Sequence, residues 1–173
     1  MKMRLQNTLK TMKKLPNNDE RYLNLGTDFA FKKIFGTEAN KELLIHFLNC
    51  LLDLKKGAKI SDITYLNTEQ QPKKKGKRKA IFDVYCETNH GERFIVEMQK
   101  NSQKHFIDRS IFYSTFPIQD LSEKTKDWDF QLSKIYVIGL LNFTFDTKYP
   151  DKVITKVQLK DEYGNLFVDR LNF

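Results

Sequence analysis

The chain of 173 residues is short of the residue types that build stapled, zinc-bound or membrane-spanning proteins. Its only two cysteines, Cys50 and Cys86, each lie within an apolar pattern. They make neither a disulfide framework nor a CxxC metal site, so a reducing, cytoplasmic setting is expected. The three histidines, His46, His90 and His105, have no ligand spacing among them, which argues against zinc. Among the seven glycines there is no phosphate-cradling run, and Gly91 and Gly164 stand in turn sequences, so no nucleotide cofactor is expected. Long apolar runs are missing too. The greasiest stretch, residues 43–54, is too short to span a bilayer and carries His46, Asn49 and Asp53. The basic first twenty residues lack the apolar segment of a signal peptide, and no membrane association is expected.

What is present is a core-forming composition and an excess of positive charge. With 40% apolar residues, 14 Phe and 7 Tyr, one domain can bury a core of ordinary size. The 30 Lys and Arg against 22 Asp and Glu leave a formal charge of +8, a surplus suited to a polyanion such as DNA. Charge alone decides nothing, since many basic proteins bind nothing acidic.

Residues 1–20 read as a flexible basic arm and residues 21–173 as the domain. Because the chain stops on Arg170-Leu171-Asn172-Phe173 in a strand pattern, truncation of a longer protein at its C-terminus is expected. Thr27 can cap a helix over 28–35 that Gly36 stops, and Thr37 can cap a second over about 38–54. A strand over 60–66 precedes the basic loop Lys73, Lys74, Lys75, Lys77, Arg78 and Lys79. Strands over 80–87 and 92–99 are joined through Thr88-Asn89-His90-Gly91, which holds the Asn and Gly of a tight turn. A helix over 105–116 follows, with Pro117 ending or kinking it. The near-continuous apolar run at 133–141 predicts a central strand covered on both faces, and 153–160 with 166–173 a last hairpin.

The chemistry is written on the first hairpin. A turn centred near residue 90 sets Asp83 opposite Glu97, and the two-residue alternation of strands puts Asp83, Glu97 and Gln99 on one face. Two neighbouring acids in an apolar strand setting repel unless a cation sits between them. Two carboxylates and a backbone carbonyl, that of Met98, are the hard oxygen ligands that Mg²⁺ prefers, with Mn²⁺ as a substitute ion. Such an ion can acidify a water for attack on phosphorus.

The order of predicted elements is αβββαβ, with the acids on the second and third strands. Four words of sequence sharpen it: LGTDFAFKKIFG at 25–36, FDV at 82–84, IVEMQ at 95–99 and FIDRSIFY at 106–113. Together they resemble the PD-(D/E)XK nuclease family transposases, relatives of the recombination-promoting nucleases. The resemblance implies a restriction-endonuclease-like α/β fold with a mixed central sheet flanked by helices, and metal-dependent DNA cleavage linked to recombination or mobile elements. Carried over, Asp83 and Glu97 match the two metal acids, and Gln99 stands where the wider superfamily has lysine. A neutral amide can orient a water but supplies no positive charge. Glu42 resembles the extra acid that some superfamily members direct at the metal, and a solvated helix face explains it equally well. Arg109 and Tyr113, four apart on a helix, are candidates for phosphate contact. The alternatives are a nucleic-acid-binding module that has lost cleavage and an RNA-directed nuclease of the same fold. Association with a second copy of the chain is left open.

Overall fold

A computed structural model describes residues 24, 26–52, 54, 58–70, 78–124, 129–144, 148–149 and 151–173. The basic arm at 1–20 lies outside the described residues, as do Lys73, Lys74, Lys75 and Lys77.

The first helix forms where caps and apolar spacing agree. Thr27, in extended backbone, accepts a hydrogen bond on Oγ1 from the Ala30 amide at 3.3 Å and opens α1, Asp28–Phe35. Gly36 ends it, and a Cβ there would lie 2.7 Å from the Lys32 carbonyl oxygen. Thr37 does not cap the second helix as expected. Its carbonyl accepts from the Asn40 amide at 3.1 Å, making a 3-10 turn over Glu38–Asn40, and α2 then runs over Lys41–Leu52.

The central sheet has six strands. The antiparallel part is β1 (Ile63–Tyr65), β4 (Val84–Thr88) and β5 (Arg93–Gln99). Beside β5 run β6 (Ile135–Leu141) and β8 (Leu166–Asn172), both parallel to it in turn, with β7 (Gln158–Lys160) antiparallel on the edge. The order is therefore β1-β4-β5-β6-β8-β7, and the 133–141 run is interior as expected. Between β1 and β4 in the chain, a separate two-stranded stalk pairs β2 (Glu69–Gln70) with β3 (Ala80–Ile81).

Helices cover both faces, which is why β5 is buried at nearly every residue rather than alternately. On one side α1 and α2 press Phe31, Leu44 and Leu48 onto Val84, Cys86, Phe94 and Val96. On the other, α3 (Phe106–Lys124) covers Phe82, Tyr85, Ile95, Ile135 and Val137 with Tyr113 and Phe116. The αβββαβ order and the mixed, helix-flanked sheet agree with expectation.

Two expectations are corrected. The strand at 80–87 is interrupted at Phe82-Asp83. Phe82 is fully buried in the same layer as Tyr85, three residues on, which strict alternation forbids, so the chain must bend between them. And of the two outcomes expected at Pro117 the ending does not occur, since α3 passes through it to Lys124. Proline removes the bond to the Tyr113 carbonyl, yet hydroxyls of Ser114 and Thr115 hold the carbonyls of Ile111 and Phe112 at 2.7 Å each. The Pro117 carbonyl accepts from buried Arg93 at 3.1 Å, fixing the far half of the helix to the sheet.

Candidate metal centre on the central hairpin

The turn that joins β4 to β5 decides what faces what. Thr88 Oγ1 accepts from the amides of His90 and Glu92, and Gly91 takes a positive φ of 78°, so the hairpin closes tightly. The resulting register pairs Val84 with Val96. One step further along it, Asp83 comes opposite Glu97. Asp83 itself sits in the bend, where side chains replace the ladder. Its N–H donates to Glu97 Oε1 at 3.1 Å, and its Oδ2 accepts from the Met98 N–H at 2.7 Å. Its Oδ1 meets Lys32 Nζ at 2.9 Å, across from α1.

Asp83, Glu97 and Gln99 are only 8%, 6% and 6% exposed. Burial, with the adjacent Asp83 charge second, pushes the Glu97 carboxyl up to about 8, against the pull of the Asp83 amide, Arg109 and Lys32. On the neighbouring β6, Gly139 pairs with Glu97. A Cβ at Gly139 would lie 2.6 Å from Phe106 Cζ, so any other residue there would make the ring shift.

Several of the remaining candidates converge on the same face. Gln99 Oε1 and Arg109 Nη2 are buried polar atoms without a hydrogen-bond partner among the described residues. The Arg109 guanidinium lies over the rings of Phe106 and Tyr113, 5.7 and 5.8 Å from their centroids, and its Nη1 donates to Gln103. Tyr113 feels the charges of Glu97 and Asp83, although burial is the larger cause of its raised pKa. In a strand, N–H and C=O of one residue point to the same neighbour, so the Met98 carbonyl projects from the edge where its N–H meets Asp83. Glu42 is exposed in the first turn of α2. Arg78 and Lys79 are exposed at the stalk, Lys79 paired with Glu69 at 2.9 Å. Lys32 was not singled out by sequence reasoning. Its position in the last turn of α1 reads as an ordinary cation complementing the helix dipole.

A family model described as PD-(D/E)XK nuclease family transposase matches residues 25–173. The chain belongs to this family. Comparison with curated proteins and with solved structures finds no match. As a PD-(D/E)XK transposase-family member it has the restriction-endonuclease-like fold described above. No helix among the described residues is long and apolar enough to cross a membrane. PD-(D/E)XK nucleases generally use divalent metal ions. The described residues hold no group of three or more His, Cys, Asp or Glu, so any ion here would rest on two carboxylates, a carbonyl and water. That donor set is all hard oxygen, and two buried polar atoms, Gln99 Oε1 and Arg109 Nη2, are orphaned on the same face, so the residues of this family member fit Mg²⁺.

Proposed function

We propose that this chain is a Mg²⁺-dependent DNA endonuclease that hydrolyses phosphodiester bonds in recombination or the movement of mobile elements. The observation that carries the reading is the Asp83–Glu97 pair: two carboxylates side by side, both buried, one of them with its pKa held well above the usual carboxylate range. Such a pairing is unfavourable to the folded chain alone and is a mark of sites built for a cation.

Asp83, Glu97 and the Met98 carbonyl would hold the ion, and Mn²⁺ would fit the same oxygens. When bound, Mg²⁺ supplies an acidified water and neutralises charge on the leaving oxygen. The rest is done by side chains. Glu97 gives up the proton it keeps below about pH 8 before it can serve as a ligand. Gln99 Oε1 accepts a hydrogen bond from the attacking water and turns its lone pair toward phosphorus. Arg109 Nη2 donates to a non-bridging phosphate oxygen, and Tyr113 holds the guanidinium plane in place. The loop residues Lys73, Lys74, Lys75, Lys77, Arg78 and Lys79 hold the DNA backbone from the stalk that leads into Asp83.

Supercoiled plasmid incubated with the protein, with Mg²⁺ or with a chelator, tests this directly. Nicked or linear product that needs the ion and is lost in Asp83→Ala is the expected outcome. DNA binding without cleavage under Mg²⁺ or Mn²⁺ would instead assign the chain to nucleic-acid binding on the same fold. A parallel single-stranded RNA substrate separates the RNA-directed alternative.

A further inference from the structure

Of the two oxygens on Asp83, one is fixed and one is exchangeable. Oδ2 is tied to the Met98 amide within the sheet, whereas Oδ1 is met by the end of a flexible side chain, Lys32 Nζ at 2.9 Å. The two partners differ in access, since the Lys32 side chain is 43% exposed and that of Asp83 only 8%. The ammonium therefore reaches in from the mouth of the site on a stem that can swing, while its helix is held by buried Phe31 and the Thr27 cap. Arg109, the other cation near the pair, is held between two rings and bonded to Gln103, and Gln99 is neutral.

We propose that Lys32 is a two-position cation. It occupies Asp83 Oδ1 while no divalent ion is bound, and moves to a non-bridging oxygen of the scissile phosphate once the ion has taken that oxygen. The inference rests on the reading of Asp83 as a metal ligand. It separates Lys32 from an ordinary ion pair, because its two positions have effects of opposite sign. Before the ion binds, Lys32 competes with it. During the reaction it stabilises the charge spread over the phosphoryl oxygens.

Lys32→Met keeps the stem and removes the charge. Calorimetric titration of the protein with Mn²⁺, without nucleic acid, should show binding about tenfold tighter than in the unaltered chain, because a competing cation is gone. Plasmid cleavage at saturating Mg²⁺ should at the same time slow by about a hundredfold. Lys32→Arg should recover most of the cleavage, and Lys33→Met, whose ammonium lies over the exposed Phe29 ring instead, should change neither quantity. A thermal melt of each variant confirms folding. Weaker Mn²⁺ binding by Lys32→Met would show a structural ion pair and overturn the proposal, as would unchanged cleavage at saturating Mg²⁺. If Asp83→Ala itself still cleaves, the reading of the metal site fails. If Asp83→Ala is dead and Lys32→Met cleaves normally, only the role of Lys32 fails.

Discussion

The β4–β5 hairpin carries two buried charge clusters on the face toward α3, one at each end, and they are built in opposite ways. Near the turn, Arg93 is 1% exposed and well provided with partners. Its Nε donates to Glu87 at 2.9 Å, and its Nη1 donates to the Tyr85 hydroxyl, the Pro117 carbonyl and Asp120 at 3.0, 3.1 and 3.2 Å. At the open end, burial and the neighbouring Asp83 charge raise the Glu97 carboxyl's pKa, and among the described residues an amide oxygen and a guanidinium nitrogen lack partners. A satisfied network fastens a helix to a sheet, whereas a half-satisfied one costs stability and persists where something else completes it. The contrast separates a framework cluster from the proposed site, although both contain the same residue types.

The sharpest way to break the comparison is to remove one member from each cluster. Asp83→Ala and Glu97→Ala should each lower metal-dependent plasmid cleavage by at least about a thousandfold, with the metal-free melting temperature unchanged or raised. Arg93→Met should do the reverse. It removes the buried cation that meets Glu87 and Asp120, so urea unfolding should show a loss of about 3 kcal/mol, while cleavage per folded molecule is kept. Wild-type cleavage by either carboxylate variant would remove the pair from the mechanism.

Acidity offers a second contrast. Because the folded chain holds the Glu97 proton up to about pH 8 and the unfolded chain releases it in the usual carboxylate range, the native state binds more protons between those limits. Metal-free stability should therefore fall as pH rises through that window, by on the order of 5 kcal/mol, and Glu97→Gln should flatten the profile. Mg²⁺ at saturation should offset the fall, since the ion takes the place of the proton. A chemical-unfolding series from about pH 5 to about pH 9 reads the slope, and a rising or flat curve for the unaltered chain contradicts the assigned acidity.

Gln99 sharpens the open cluster from within. Gln99→Ala should slow cleavage by about one to two powers of ten with metal affinity nearly unchanged, whereas Gln99→Lys should retain turnover and weaken Mg²⁺ binding. Equal rates for Ala and the unaltered chain at saturating Mg²⁺ would leave Gln99 as a strand residue only. The smallest effect belongs to the loop. Neutralising Lys73, Lys75 and Lys77 together should weaken binding to all DNA sequences alike and flatten its salt dependence by about one unit of slope for each phosphate that is no longer neutralised. An unchanged slope would make the loop a solvated insertion.

The facing of Asp83 and Glu97 could be read from residue order because the hairpin is local. A turn at Asn89-His90-Gly91 sets the register, and register alone carries Asp83 to Glu97 across fourteen residues. What could not be read depends on contacts between distant elements. Lys32 reaches Asp83 from a helix more than fifty positions upstream, and nothing in DFAFKKIF distinguishes Lys32 from its neighbour Lys33. The bend at Phe82-Asp83 follows from the layer in which Phe82 finds its aromatic partners, Tyr85, Tyr113 and Phe116. Likewise the continuation of α3 past Pro117 needs Arg93 beneath it, a partner that helix-stop rules cannot see.

The glycine beside Glu97 has a meaning beyond packing. Gly139 bears no functional group, yet it admits the Phe106 ring beside the strand that carries Glu97, and dryness is the main cause of that carboxyl's reluctance to ionise. The affinity of the proposed centre for a cation would thus be adjustable from a strand that donates nothing to it. A single methyl group on that strand, by lifting the ring and letting solvent in, would retune the ion and proton preference of the site while leaving every candidate ligand in place.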